Sequence, residues 1–360
     1  MYLDASDLLG GTALTTPRRR VVKGAMTHDN MMTFDSNVID STGAFFIGEL
    51  ERLDQTLHMP LVEFSWGRDI DIRTDVSIAD EISSWTNSDF AAMGNMGGQG
   101  NISWIGKDSN TIQGVSLDIG KTAQPLHLWG QEIKYTIPEL ESAMKLGRPV
   151  DAQKYEALVL KYQMDIDTLV YTGDSTISAT GLLNASNTII TNVTNVANGA
   201  SGSPLWQNKA PDEILQDLNE LLTSVWNKSA YAVLPDRVLM APGDYGLLVS
   251  RRVGEAASVS LLTYLLENNV VNRNGAGALK IYPVKWLIGG GVGGTLGTVS
   301  GHNRMVAYRK EMRYIRYPMT PLQKTPLEYR SIFQMTTYFG RLGQMEFVYP
   351  VTIGYRDGMG

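Results

Sequence analysis

Between Thr86 and Asn110 the chain places Gly94, Gly97, Gly98, Gly100 and Gly106 among Phe90, Met93, Met96 and Trp104, and from Phe90 to Gly106 it has no charged residue. Strand-like alternation brackets this stretch. In Arg68-Asp-Ile-Asp-Ile-Arg73, Ile70 and Ile72 face one way while Asp69, Asp71 and Arg73 face the other; Val115-Ser-Leu-Asp-Ile119 repeats the pattern. Pairing the two predicts a long two-stranded ribbon with a glycine-rich tip. Ten paired residues at ~3.3 Å each reach ~30 Å beyond their base. An isolated hairpin is at best marginally stable in water, because no third layer covers its apolar face. Such a ribbon has to be covered, either by a second copy of the same chain or by folding back on its own domain.

Composition favours association. Hydrophobic residues make up 43%, enough for a core, but charged residues only 19%, below the roughly 25% usual for soluble domains. That leaves more neutral surface than a lone monomer needs. Lys+Arg 31 against Asp+Glu 37 gives a net charge of −6, which argues against a sequence-independent grip on nucleic acid through clustered cations. The 360 residues suffice for two or three compact units.

The absence of cysteine excludes disulfides, thiolate metal sites and a cysteine nucleophile. His28, His58, His127 and His302 are scattered, with no HExxH pair for zinc. Met-Tyr-Leu-Asp at the start has no basic region followed by an apolar one, and the neutral run near Trp286 to Gly301 is glycine-rich and too short for a bilayer span. The expectation is a soluble protein, made in the cytoplasm, without membrane contact.

Residues 1 to about 45 are polar and lack a sustained period, which reads as an extended arm. Its Arg18-Arg19-Arg20 triplet is either a solvated basic patch or a docking contact on an acidic neighbour. Further along, Asp151 is the expected N-cap of a helix from Ala152 to Thr172. There Tyr155, Leu158, Tyr162, Ile166 and Leu169 form one apolar stripe, and Gly173 is the stop. Ser175 to Asn208 then contains no charge, as expected near a rotational symmetry axis, where each charge would meet its own image, or simply of a Ser/Thr/Asn loop. Beyond it the pattern predicts helices over Asp212 to Asn227 and Ser258 to Val271, and strands over Arg237 to Met240, Leu279 to Ile288 and Met305 to Tyr308. Two last strands, Glu328 to Phe339 and Gln344 to Tyr349, are expected to join through a Gly340-Arg-Leu-Gly343 turn. In the second of these, Met345, Phe347 and Tyr349 alternate with Glu346 and Val348.

Gly289-x-Gly291-x-x-Gly294 matches the spacing of a dinucleotide loop, the basis for an alternative reading as a nicotinamide-dependent oxidoreductase. That fingerprint needs a helix start behind it to bind the pyrophosphate. Thr295-Leu-Gly-Thr-Val-Ser-Gly301 is a poor one, so the expectation is a mobile turn between strands. Gly173-Asp174-Ser175 resembles the start of a lipolytic hydrolase block, but no late Asp-x-x-His supplies its base. The pairs Asp69/Asp71 and Glu139/Glu141 read as exposed strand and helix faces. No catalytic, cofactor-binding or metal-ligating residue is expected, and the chain is not expected to be an enzyme.

A ribbon, a long spine helix, an α/β unit and returning strands, in that order, resemble the tailed-phage major capsid proteins of the Hong Kong 97 type. Phe45-Phe-Ile-Gly-Glu-Leu-Glu-Arg52, Leu169-Val-Tyr-Thr-Gly173 followed by Gly181-Leu-Leu-Asn184, and Pro235-Asp-Arg-Val-Leu-Met-Ala-Pro242 carry the resemblance. It implies an α+β fold with an N-terminal arm (1–57), an extended loop region (58–135), a spine helix of a peripheral domain (136–173), an axial domain (174–325) and C-terminal strands of the peripheral domain (326–360). It further implies pentamers and hexamers forming an icosahedral shell around double-stranded DNA without sequence-specific binding, in a virion assembled in the bacterial host cytoplasm. A separate scaffolding protein is expected, since the arm is too short to hold a scaffolding extension, together with a portal; a decoration protein is left open. Inter-subunit contacts are expected at Arg18, Arg19, Arg20, Arg68, Arg73, Phe90, Met93, Met96, Trp104 and Lys107, and Lys107 leaves covalent cross-linking open. An encapsulin-like compartment is the alternative shell, although residues 1 to 30 look unsuited to its cargo-binding helix.

Overall fold

The computed structural model describes residues 62–92, 107, 115–146, 150–254, 259–273, 277–291 and 302–359. All lie in the second of the two units into which the chain divides, Pro60–Gly360. A helical turn, Trp66–Asp69 (α1), leads to Ile72–Arg73 (β1) and to the ribbon strands Ile82–Ala92 (β2) and Val115–Pro125 (β3). His127–Thr136 (β4), Ile137–Leu146 (α2) and the long helix Val150–Tyr171 (α3) follow. Gly173–Asp174 (β5), Ala179–Thr180 (β6) and Val193–Asn195 (β7) precede Pro211–Lys228 (α4). Next come Arg237–Met240 (β8), Pro242–Ser250 (α5), Leu261–Glu267 (α6), Val270–Arg273 (α7), Lys280–Pro283 (β9) and Asn303–Tyr308 (β10). The last strands are Ile315–Pro318 (β11), Gln323–Lys324 (β12), Glu328–Arg330 (β13), Phe333–Leu342 (β14), Glu346–Phe347 (β15) and Ile353–Met359 (β16). The α+β class is as expected.

A five-stranded sheet in the order β7-β16-β10-β8-β9 carries the main core. Its central strands are buried on both faces, so alternate side chains supply two different clusters. Leu239, Val306, Tyr308, Ile353 and Tyr355 pack toward α3 with Tyr162, Ile166, Val170 and Tyr171. Val238, Met240, Met305, Ala307 and Met359 pack under α4 and α6 with Ile214, Leu218, Leu221, Leu222, Val225, Leu261 and Leu265. Burying each such side chain contributes about 1.5–3 kcal/mol.

α4 begins as its sequence suggests. Pro211 occupies the first turn, where its missing N–H costs nothing. Glu213 accepts from the Ala210 and Ala200 backbone N–H groups at 2.8 and 2.7 Å, which holds its carboxyl below the usual range. The one carboxylate on the buried face, Asp217, accepts from Lys209 Nζ (2.6 Å), Trp206 Nε1 (3.0 Å) and Arg356 Nη2 (3.0 Å). Buried charge survives there because it is fully partnered.

In α3, Leu158, Tyr162 and Ile166 are buried as the stripe predicts, while Tyr155 is exposed. Gly173 ends the helix with φ 67°; a Cβ there would lie 2.1 Å from the Ala179 carbonyl oxygen. Leu182 and Leu183 N–H groups donate to the Val170 and Tyr171 carbonyls at 2.7 and 3.0 Å, supplying partners that the last helical turn lacks.

Several expectations are corrected. The ribbon partner of Val115–Ile119 is β2, in unbroken register from Ile82↔Pro125 to Ala92↔Val115, and not residues 68–73. The latter form α1 and β1, and β1 runs parallel to β11; alternation marks a strand but does not name its partner. Asp69, read as exposed, is fully buried. It accepts from Tyr171 Oη, and Arg68 Nε and Nη2 approach it at 2.8 Å each.

Gly340–Gly343 is not a hairpin turn. β14 runs straight through Gly340, which sits opposite Trp129 in the pairing of β14 with β4. The actual turn is Ser331–Ile332, and β15 pairs with β11 instead. The helix expected over 258–271 is two shorter ones, with Ser260 Oγ accepting from Thr263 N–H as its cap, and β9 gives way to a short 3-10 turn at Lys285–Leu287. Pro242 ends β8 but also opens α5. The described residues 326–359 supply strands to the sheet with β4 and, through β16, to the five-stranded sheet.

Candidate interaction surface

Eleven consecutive residue pairs make the ribbon, a reach of ~35 Å at ~3.4 Å each. Directly paired residues share a face, so Ile82, Leu117 and Ile119 lie on one side. All three are about 60% exposed (61%, 61% and 60%). Asp118, Thr122 and Gln124 lie on the other side with Ser83 and Trp85. The Ile82 side also carries Ser84, Thr86, Ser88 and Lys121, and the described residues leave these three large apolar side chains bare.

The polar face is bound to the body at its root. Glu346, without solvent exposure, accepts from Ser83 Oγ, from Arg316 Nε at 2.5 Å and from Arg73 Nη1 at 3.2 Å. Arg73 also donates to Ser83 Oγ (2.9 Å) and to the Ser84 carbonyl (3.2 Å). Its guanidinium sits beside Asp75 at 2.6 Å, which raises the arginine and holds the Asp75 carboxyl below the usual range. Arg341 grips the other side, donating to the Ile78 carbonyl (2.6 Å) and the Leu126 carbonyl (3.2 Å). Leu126 N–H closes the base onto the Glu81 carbonyl at 2.8 Å. Partly buried ion pairs of this kind hold orientation as well as contributing energy. The finger is thus anchored at its foot and uncovered along its length.

The expected contact residues divide into three groups. Arg18, Arg19, Arg20, Met93, Met96 and Trp104 lie outside the described residues. Phe90 is in β2 opposite Leu117, and Lys107 is exposed. Arg68 and Arg73 are engaged by carboxylates of their own chain; Arg68 also lies over the Tyr282 ring at 4.2 Å. Residue type alone had not revealed Glu346, Arg316 or Arg341. The one available signal was a carboxylate set between Met345 and Phe347 in an apolar run.

The glycine loop is described only at its ends; residues 292–301 lie outside the described chain. Gly289 N–H donates to Asn303 Oδ1 (2.9 Å), and Gly291 N–H to the His302 carbonyl (2.6 Å). Asn303 Nδ2 in turn donates to Asp244 at 2.9 Å, and burial pushes the Asp244 carboxyl up to about 6.

A cleft of about 550 Å³ lies between β4 and the end of α3, lined by His127, Leu128, Trp129, Asp165, Asp174 and Leu342 among others. Three of its polar side chains are already engaged: Trp129 Nε1 donates to Asp165 (3.0 Å), and Asp174 accepts from Thr176 Oγ1 (2.7 Å). Among the described residues no group of three or more His, Asp or Glu side chains could hold a metal ion.

A family model described as "Major capsid protein" matches residues 100–359. Solved structures with a similar fold include the capsid of Myoviridae Phage XM1, at 16% identity over 86% of this chain and 97% of that one, with a TM-score of 0.63. The capsid of the native GTA particle shares 10% identity over 91% of this chain and 100% of that one, TM-score 0.55. Mycobacterium phage Adephagia shares 8% over 88% and 97%, TM-score 0.55. At these identities the likeness is one of fold. No curated protein matches the chain.

Proposed function

This chain belongs to the major capsid protein family, and on that premise we propose that its pentamers and hexamers close an icosahedral shell around double-stranded DNA. It is a structural subunit of a virion capsid with the Hong Kong 97-type fold. The observation that carries the proposal is the bare apolar face of the ribbon at Ile82, Leu117 and Ile119, which an adjacent subunit would cover.

On this reading residues 1–57 are the arm, 58–135 the extended loop region, 136–173 the spine helix of the peripheral domain, 174–325 the axial domain and 326–360 the C-terminal strands of the peripheral domain. The ribbon tip, with Phe90, Met93, Met96, Trp104 and Lys107, docks on the neighbour, where methionine's adaptable side chain suits a surface met in several slightly different settings. Arg18 to Arg20 meet an acidic neighbour. The net charge of −6 fits a container whose genome is driven in rather than bound. A separate scaffolding protein guides closure in the host cytoplasm, and a portal completes the particle, with a decoration protein left open. On this reading the subunit performs no catalysis and needs no cofactor; its buried carboxylates at 69, 217 and 346 pair with arginine or lysine, and Asp244 accepts from Asn303.

Electron microscopy of the purified protein, alone and with its scaffold, tests this. Closed particles containing DNA after infection are the expected result; particles filled with enzyme cargo would overturn the DNA assignment. Deleting Ser88 to Ser109 is expected to leave soluble subunits that form no shells, and normal shells from that deletion would remove the tip's role.

A further inference from the structure

A second uncovered edge lies at β13, which pairs with β14 on one side: Glu328↔Met335, Tyr329↔Gln334 and Arg330↔Phe333. All three β13 residues are exposed. The turn Ser331–Ile332 has a positive φ only at Ser331, 58°, the pattern of a two-residue type II′ hairpin. In such a hairpin the residues flanking the loop, Arg330 and Phe333, exchange both backbone hydrogen bonds, and the next pair exchanges none. The N–H and C=O of Tyr329 therefore point outward along the open edge. Glu328 and Arg330 project to one face and Tyr329 to the other. Neither charge has an ion-pair partner among the described residues, and Leu327, Ile332 and Phe333 add exposed apolar surface around them.

We infer that β13 is self-complementary and pairs antiparallel with β13 of a second copy across a two-fold axis at Tyr329. In that register the two Tyr329 residues exchange both outward backbone hydrogen bonds. Glu328 stands opposite Arg330 of the second copy, and Arg330 opposite its Glu328, so one junction forms two ion pairs and brings two tyrosine rings together. Centring the axis on Glu328 would set glutamate against glutamate, and centring it on Arg330 would set arginine against arginine. Like charges directly opposite are destabilising, so the charge pattern selects a single register. The contact is isologous and joins two sheets edge to edge. It rests on the shell reading only in requiring that subunits associate.

The cysteine-free sequence makes the test clean. Paired strands put the two Cα atoms about 5.5 Å apart, within disulfide range. Oxidised particles of Tyr329→Cys are expected to yield covalent dimer on a non-reducing gel, whereas Glu328→Cys, off the axis, yields none. Assembled Tyr329→Cys particles that stay monomeric on the gel overturn the inference while leaving the shell reading intact. If Tyr329→Cys does not assemble, charge reversal decides. Glu328→Arg and Arg330→Glu are each expected to lose particles and the double variant to regain them; a double variant no better than the worse single one overturns the pairing. Failure of the unaltered protein with its scaffold to form particles counts against the shell reading instead.

Discussion

Glu346 Oε2 lies 2.5 Å from Arg316 Nε, with the carboxylate fully shielded from solvent. The same side chain receives Arg73 and Ser83, so one carboxylate ties β1, β11 and β15 to the foot of the ribbon. An element exposed along its length has to be oriented from its base, and this is where the orientation comes from.

Replacing Glu346 with Gln keeps the shape and removes the charge, leaving Arg316 without its carboxylate partner while Arg73 keeps Asp75. Breaking a buried pair from one side costs about 3–5 kcal/mol. A loss of about 3 kcal/mol is expected in denaturant unfolding of the free subunit, because Arg73 and Arg316 keep some solvent contact (16% and 19% exposed).

Leu117→Asp should behave in the opposite way. The side chain is exposed in the subunit, so the unfolding midpoint should stay within about 0.5 kcal/mol of the parent. Covering the apolar face would then bury an unpaired carboxylate, and particle yield by sedimentation should collapse. A large stability loss together with normal particles would show that the face is covered within the chain.

Gly173→Ala places a methyl group where the Ala179 carbonyl already lies, at a residue with φ 67°. The strain of a non-glycine residue at positive φ is about 1 kcal/mol or more, and the clash adds to it. The variant should be recovered mainly as insoluble protein, and the soluble fraction should melt several degrees lower.

Asp244 gives a pH signature. Burial pushes its carboxyl up to about 6, partly offset by the hydrogen bond from Asn303, against about 3.9 in the unfolded chain. Between about pH 4 and 6 the folded state binds the extra proton, so this group's contribution to stability falls as pH rises through that window and its full penalty applies above it. Asp244→Asn should therefore be more stable than the parent at pH 7, by at most about 3 kcal/mol, and equal to it below about pH 4. Denaturant midpoints of unassembled subunits at the two pH values check the sign.

Much of the fold was legible in local pattern. The stripe from Leu158 to Ile166 and the stop at Gly173 defined α3; the spacing from Ile214 to Val225 defined α4; and the uniformly apolar Val238 to Met240 marked a strand buried on both faces. The bare ribbon was legible too, though not the identity of its first strand. Less was legible at the surface, because the partners of Arg68, Arg73 and Glu346 are set by side chains brought from elsewhere. Gly340 misled for a related reason: glycine marks a turn or a close approach, and only the position of β4 distinguishes the two.

By itself the sequence determined that the two long helices exist and where α3 stops, which of their faces are apolar and that a thin charge-poor finger exists, since each follows from neighbours within a few residues. The tertiary structure alone decided which strands pair and which charges are buried. Glu346 meets Ser83 across 263 positions, and a carboxylate can leave water only where folding delivers its counter-ions.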